Sequence, residues 1–384
     1  MKTLSVPAIN YESEENCFQK YDHITSRLIY GDPKKIEDPW ITILIPTYRR
    51  PDMLKEALES VLIWQEHTDF FWDIVVLDNE KDNGIENDTE RLIRNIDSTR
   101  ILYYRNSETM RPGDNFNRGF LLARGEWVMM LHDDDLLASK SLKTMGHLLW
   151  EYVKKGFPLG AIIASHIRVE YNPQQKEMKV DISRINQSLC VQQANHERLR
   201  QLTHNHVKVL GHIGGTVPSN GSTYRREAVL EMGGFNEDYG ISGDLILLYN
   251  IENRYEVYQT TTPLGFYRWG NNSMMKKESL YQVVRDNFYF REYVYQKNWG
   301  NRIIGKLFRN CHYRKFTTDA IEERKKMCNE QISLSDFDGI YSGRPNPIWY
   351  LFYKCVICKG YRFYKKCQGK MLARKAARRE KQNG

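Results

Sequence analysis

The sequence predicts an α/β fold, a mostly parallel sheet flanked by helices, followed by a helical C-terminal region. Short β-rich apolar runs alternate with amphipathic helical stretches between residues 40 and 170, the pattern of strands joined by helical crossovers and buried on both faces. Polar clusters interrupt the ends of three of these runs, as expected where parallel strands deliver their carboxyl ends to one ligand-binding edge. With 384 residues, 41% hydrophobic and 12% aromatic, the chain is long and apolar enough to bury a sizeable core.

The elements follow in order. After a polar segment of about forty residues, WITILIPT reads as a strand, and RRPDMLKEALESVL places Met53, Leu54, Ala57, Leu58, Val61 and Leu62 at helical spacing. FWDIVVLDN is a second strand, NDTERLIRNI a short helix, and RILYYRN a third strand. DNFNRGFLLARG puts Phe116, Phe120 and Ala123 on one helical face, with Asp114 or Asn115 as the expected cap. EWVMMLHDDD is the fourth strand and LGAIIASHIRVEY the fifth. A Gly-rich turn, a helix over Arg226 to Met232, a GGF stop and a helix from near Ser242 come next, and helical sequence resumes at about Ser279. The division expected is an N-terminal extension over 1–39, a main domain over 40–275, a helical region over 276–348 and a basic, aromatic tail over 349–384.

Charge is concentrated in that tail. The chain carries a formal +8, yet from Trp349 onward eleven Lys or Arg face one acid, Glu380, so the remainder is slightly acidic. No apolar run approaches the roughly 18 to 20 residues of a membrane span, and the N-terminus turns acidic before a signal region forms, so a cytoplasmic location is expected. Seven scattered cysteines suggest reduced thiols rather than a disulfide framework. Cys355 and Cys358 form a C-x-x-C with Cys367 nearby but no fourth ligand at zinc spacing, and His196, His204 and His206 read as a polar surface loop.

The chemistry-bearing stretch is GEWVMMLHDDDLL, where a hydrophobic strand runs into Asp133, Asp134 and Asp135. Adjacent carboxylates repel one another unless a cation intervenes. Hard oxygen ligands suit Mg²⁺ or Mn²⁺, which one or two carboxylates and phosphate oxygens together hold, so the cluster implies a phosphorylated substrate. The alternative is a solvated turn after an edge strand, with Asp135 capping the next helix.

Taken in order, ITILIPTYRRPDMLKEALESVL, DIVVLDNEKDN, NRGFLLARGEWVMMLHDDDLL, STYRREAVLEMGGFNED and GDLILLYNI resemble the family 2 glycosyltransferases over roughly residues 40 to 275. The resemblance implies the GT-A fold with its Rossmann-like sheet, and inverting transfer of a sugar from a nucleotide-diphosphate donor with a divalent metal, Mn²⁺ or Mg²⁺. It places Pro46, Thr47 and Tyr48 in the nucleotide pocket, and Asp78 on the base or ribose, with Leu77 where the family has a further carboxylate. It assigns the metal to Asp134 and ribose or metal-bound water to Asp133, while His132 stands at the motif's first Asp position as a packed strand-end residue.

Asp244 aligns with the family's catalytic base, which takes the acceptor hydroxyl's proton as positive charge grows on the sugar. Its alternative role is a helix N-terminal charge. Arg118 is read as a nucleotide contact and Asn115 as a cap. Arg268 or Asn271 faces the diphosphate, or Arg268 makes a structural ion pair; Trp269 and Gly270 stand where some members carry a His. Gly214 and Gly215 are expected beside the acceptor, where they allow close backbone approach.

The family resemblance implies a glycan or lipid-linked acceptor in bacterial surface polysaccharide synthesis. The tail's alternating aromatic and basic residues then favour an anionic membrane surface over nucleic acid, with the protein peripheral on the inner face of the cell membrane. Two other readings compete. A Mg-dependent nucleotidyltransferase also combines a nucleotide pocket with Asp-bound metal, but PTYRRPD lacks the Gly-rich loop of that class. A degenerate, non-catalytic scaffold is the other, and the presence of Asp134 and Asp244 argues against it.

Overall fold

The computed structural model describes residues 9–12, 15–36, 38–65, 67–172, 177–178, 181–182, 185, 219–269, 277–325, 332–341 and 343–360. Its strands are β1 (Ser26–Tyr30), β2 (Ile41–Thr47), β3 (Trp72–Asp78), β4 (Ile101–Asn106), β5 (Trp127–Met130), β6 (Leu136–Leu137), β7 (Leu159–Asn172), β8 (Glu177–Met178), β9 (Thr223–Arg225) and β10 (Glu256–Trp269). The helices are α1 (Pro51–Leu62), α2 (Asp88–Ile96), α3 (Pro112–Leu122), α4 (Ser141–Lys154), α5 (Arg226–Glu231), α6 (Gly243–Glu252), α7 (Lys277–Gln296), α8 (Trp299–Lys325) and α9 (Pro347–Phe352).

The strands form one sheet in the order β1-β4-β3-β2-β5-β9-β7-β10-β6, with β8 paired to the end of β7. β4, β3, β2 and β5 run parallel, as do β7 and β10, whereas β9 lies antiparallel between β5 and β7. Every residue of β3 is buried, and so is all of β2 except the half-buried Pro46, which explains their unbroken apolar runs. The polar exception inside β3 is Asp73. It accepts hydrogen bonds from the Thr42 hydroxyl at 2.7 Å and Arg124 Nε at 2.9 Å, which offset the burial that raises its pKa.

Helices cover both faces. On one, α1, α2 and α4 set Leu54, Leu58, Val61, Ile93, Met145 and Leu149 against Ile43, Ile45 and Val76. On the other, α3, α5, α6 and α7 pack Phe120, Val229, Leu248 and Phe290 against Leu44, Val75 and Val128. α3 lies so close to β2 that a side chain at Gly119 would meet Leu44 at 2.5 Å. The helical C-terminal region joins this second layer through Tyr313 and Ile321 of α8.

Residues before 40, set apart above as an extension, contribute to this architecture. β1 adds an antiparallel edge strand beside β4, and the buried Tyr11 ring stands 5.1 Å from Tyr239 and 5.3 Å from Phe290. Gly233, with φ +77°, makes this possible, since its carbonyl accepts from the Cys17 N–H at 3.0 Å where a Cβ would strike the Glu15 carbonyl.

Candidate active site

The winding order locates the site. The chain passes from β2 outward through β3 to β4, then returns to the other side of β2 as β5, so a crevice opens between the carboxyl ends of β2 and β5. Thr47 ends β2, and the turn after β5 carries Asp133 and Asp134. The Thr47 hydroxyl donates to Asp133 Oδ2 at 2.8 Å. Arg50 lies across the crevice with Nη1 3.3 Å from Asp133 Oδ1 and 3.1 Å from Asp134 Oδ2, so one guanidinium bridges both carboxylates. This residue was not singled out in the sequence, and it is the site's principal addition.

Burial pushes the Asp133 carboxyl up to about 6, and the charge of Asp134 adds to the rise. Arg50, the Thr47 hydroxyl and the Tyr48 N–H oppose it. Arg50 thus offsets part of the repulsion within the pair, and a solvated turn after an edge strand is not what forms, because β5 is a central strand. Asp135 does not cap a helix either. It turns into the interior and accepts the Arg268 backbone N–H at 2.9 Å, and α4 begins only at Ser141.

His132 is a packed strand-end residue. Its Nε2 pairs with Ser219 Oγ at 2.7 Å and its ring meets Phe116 edge-on at 5.7 Å, while burial holds its pKa below the usual value. Tyr48, the next residue after Thr47, is exposed at the mouth with the Arg49 guanidinium 5.2 Å from its ring centre. Pro46 and Thr47 stand in register with Leu77 and Asp78, so these strand ends are adjacent.

Asp78 is fully buried at that edge. It accepts from the Glu80 N–H at 2.9 Å, Asn87 Nδ2 at 2.9 Å and the Tyr103 hydroxyl at 2.8 Å, against the burial that raises its pKa. Arg268 is also buried, and its Nη2 lies 2.8 Å from Glu56 Oε2 of α1. It is a neighbour of the carboxylate cluster through Asp135. Arg118 points elsewhere, donating from Nε to Ser26 Oγ of β1 at 2.9 Å. Asn115 is no cap, because Pro112 starts α3 one turn earlier; its Oδ1 accepts from Asn106 Nδ2 at 2.8 Å.

Asp244 stands in the first turn of α6, half-buried, accepting the Leu245 N–H at 2.7 Å. Burial pushes its carboxyl up to about 6; burial likewise raises the pKa of Tyr224 on β9, the strand next to β5, and the charge of Asp244 adds to that rise. The segment leading to it crosses the start of α3, where the Gly113 N–H donates to Glu237 and Phe116 packs between His132, edge-on, and Phe235, tilted. These contacts bring the segment around Phe235 and Glu237 to the start of α3, and Asp244 follows seven residues after Glu237. Gly214, Gly215, Gly270, Asn271, His196, His204 and His206 lie outside the described residues.

A divalent cation fits the donor set. Asp133 and Asp134 already converge on one cationic group, and phosphate oxygens and water complete the coordination of a Mg²⁺ or Mn²⁺ held by two carboxylates. Among the described residues no cluster of three or more His, Cys, Asp or Glu side chains is gathered to hold a metal without such help.

The fold and site together define an α/β protein with a carboxylate pair at the β2/β5 crevice, and comparison with known proteins gives the family. The family model described as Glycosyl transferase family 2 matches residues 42–233, half of the sequence. The chain belongs to that family. It is 32% identical over 111 residues to a GalNAc(5)-diNAcBac-PP-undecaprenol beta-1,3-glucosyltransferase of Campylobacter jejuni, covering 28% of this chain and 33% of that protein. It is 36% identical over 105 residues to an abequosyltransferase of Salmonella typhimurium, covering 27% and 30%. The matches span about a third of the length of these curated relatives. Among solved structures, a mannosyltransferase from Pyrobaculum calidifontis in complex with GDP-Man and Mn²⁺ superposes with a TM-score of 0.47 at 14% identity, over 91% of this chain and 88% of that one.

Proposed function

We propose that this protein is an inverting, metal-dependent glycosyltransferase that moves a sugar from a nucleoside-diphosphate donor to an acceptor hydroxyl. The observation that carries the reading is the Asp133–Asp134 pair at the β2/β5 switch point, with family membership behind it. Asp134, with Asp133 beside it, would hold the divalent ion, Thr47 and Arg50 orient Asp133, and Pro46 and Tyr48 line the nucleotide pocket. Asp78 acts at the base or ribose by shaping the β3 end, and Arg268 borders the diphosphate from behind Asp135. When bound, the metal offsets the charge that develops on the departing diphosphate.

Asp244 removes the acceptor proton. The acceptor oxygen bonds to the anomeric carbon, the bond from that carbon to the donor diphosphate breaks with its electron pair going to the phosphate oxygen, and the proton rests on the Asp244 carboxylate. A carboxyl raised to about 6 is still ionised at neutral pH and is a stronger base than an ordinary aspartate. The Campylobacter relative's undecaprenol-linked acceptor supports a lipid-linked or glycan acceptor here, reached at the inner face of the cell membrane and engaged near Gly214 and Gly215. No described helix is long and apolar enough to cross a membrane.

Incubation with a panel of nucleotide sugars and Mn²⁺ tests the reading. Slow donor hydrolysis releasing nucleoside diphosphate, lost in Asp134→Ala, is expected. Release of pyrophosphate would instead assign a nucleotidyltransferase, and no turnover or binding of any donor would leave a scaffold.

A further inference from the structure

The C-terminal helices present an apolar face that the folded core does not cover. On α8, Trp299, Ile303, Ile304 and Leu307 are exposed, Trp299 by 78%. The next residue, Phe308, leads to α9, with its ring 5.8 Å from Trp349 and 6.5 Å from Phe352. α9 is held in place from its other side. Tyr353 is buried, its hydroxyl 3.0 Å from His312 Nδ1, and Cys358 packs with Cys311 while Cys355 faces solvent. This anchoring leaves Ile348 80% and Leu351 62% exposed, with Val356 continuing the outer face. Large aliphatic and aromatic side chains exposed together on two packed helices exceed the singly scattered apolar residues of an ordinary surface.

We infer that this face of α8 and α9 docks on an anionic lipid surface. The inference rests on the membrane-side acceptor reading above and deepens it, by assigning the contact to two folded helices rather than to the basic tail alone. Charge selects the occupant. No acid occurs between Tyr293 and Thr318 or between Gly339 and Arg379, whereas Arg302, Lys306, Arg344, Lys354 and Lys359 are exposed around the apolar stripe.

The sequence beyond Gly360 adds nine Lys or Arg against Glu380. A second copy of this chain would set one basic face against another, which like-charge repulsion disfavours. Nucleic acid would satisfy the cations but leave Ile348 and Leu351 without an apolar partner. A bilayer interface supplies both, with acyl chains for the stripe and phosphates for the rim.

Co-sedimentation of the full chain with phosphatidylcholine vesicles, with and without phosphatidylglycerol, is the test, with Mn²⁺–nucleoside diphosphate binding measured in parallel. Wild type should partition to the anionic vesicles and release at high salt. The I348E/L351E variant changes two exposed residues; it should keep nucleotide affinity and lose at least tenfold in vesicle partitioning. K354E/K359E should lose most of the preference for phosphatidylglycerol. Equal partitioning of wild type and I348E/L351E would overturn the inference, as would a wild type that ignores vesicles but dimerises or shifts an oligonucleotide through this face. Failure of vesicle binding with intact nucleotide binding would leave the transferase reading standing, and the reverse pattern would do the opposite.

Discussion

Asp244→Asn separates a catalytic base from a helix-capping charge, because the two roles predict opposite consequences for stability and rate. The substitution keeps the shape and the oxygen that accepts the Leu245 N–H, and removes only the titratable charge. Burial lifts the Asp244 carboxyl from an ordinary 3.8 to about 6, so keeping it ionised at neutral pH costs the folded state up to about 3 kcal/mol. That penalty is absent below pH 4, grows between about 4 and 6, and is complete above 6. Asp244→Asn should therefore raise Tm by a few degrees at pH 7.5 and leave it unchanged near pH 4.

The rate moves the other way. Removal of a general base should lower sugar transfer by roughly 10²-fold or more at pH 7.5 with donor and metal affinity retained. Wild-type transfer should fall about tenfold from its plateau to pH 5, where roughly a tenth of a carboxyl of pKa about 6 is ionised. Thermal melts across pH and a transfer assay with a nucleotide sugar and Mn²⁺ measure both. A variant with wild-type turnover, or one whose Tm falls at pH 7.5, would refute the base assignment and leave Asp244 as a helix N-terminal charge.

Other expectations follow from the same geometry. Thr47→Val removes the hydroxyl that fixes Asp133 and should weaken Mn²⁺-dependent nucleotide binding by about tenfold, about the value of one hydrogen bond to a charged group, as read by calorimetry. Arg50→Gln withdraws the guanidinium that bridges Asp133 and Asp134, so the metal-free protein should melt lower and gain a larger Tm increase from Mn²⁺ than wild type does. Gly233→Ala forces a side chain at φ +77° against the Glu15 carbonyl and should destabilise by about 2 kcal/mol or more in urea unfolding, releasing the N-terminal segment. Tyr48→Ala leaves the core untouched and should lower nucleotide affinity several-fold without shifting Tm.

The parallel half of the sheet was legible because β2, β3 and β5 are buried on both faces, so their residues form apolar runs with polar punctuation at the ligand edge. The same polar punctuation marks the strand end that carries Asp133 and Asp134, whereas Thr47 enters through the family resemblance. β10 escaped notice because Thr260 to Thr262 and Pro263 mask its pattern, and the ladder to β7 indeed shifts register around Pro263. β1 pairs across a long sequence separation as an edge strand, and no local signal announces that.

Within the site, Arg50 was missed since its role arises only when the β2 and β5 ends are brought side by side. Asn115 is no cap because Pro112 moves the helix start forward, and the partner of Asp135, the Arg268 N–H, lies on the far strand β10, where no local pattern announces it. Arg118 took a different neighbour for the same reason, as Ser26 belongs to the unread β1.

The central claim is that Asp133 and Asp134 hold a divalent ion against a donor diphosphate, and calorimetric titration of nucleoside diphosphate into wild type and Asp134→Ala, each with and without Mn²⁺, tests it most directly. Binding to wild type should depend on Mn²⁺ and be lost in the variant, where one carboxylate of the pair is gone and the diphosphate charge is no longer offset. Equal, Mn²⁺-dependent binding by wild type and Asp134→Ala would contradict the account.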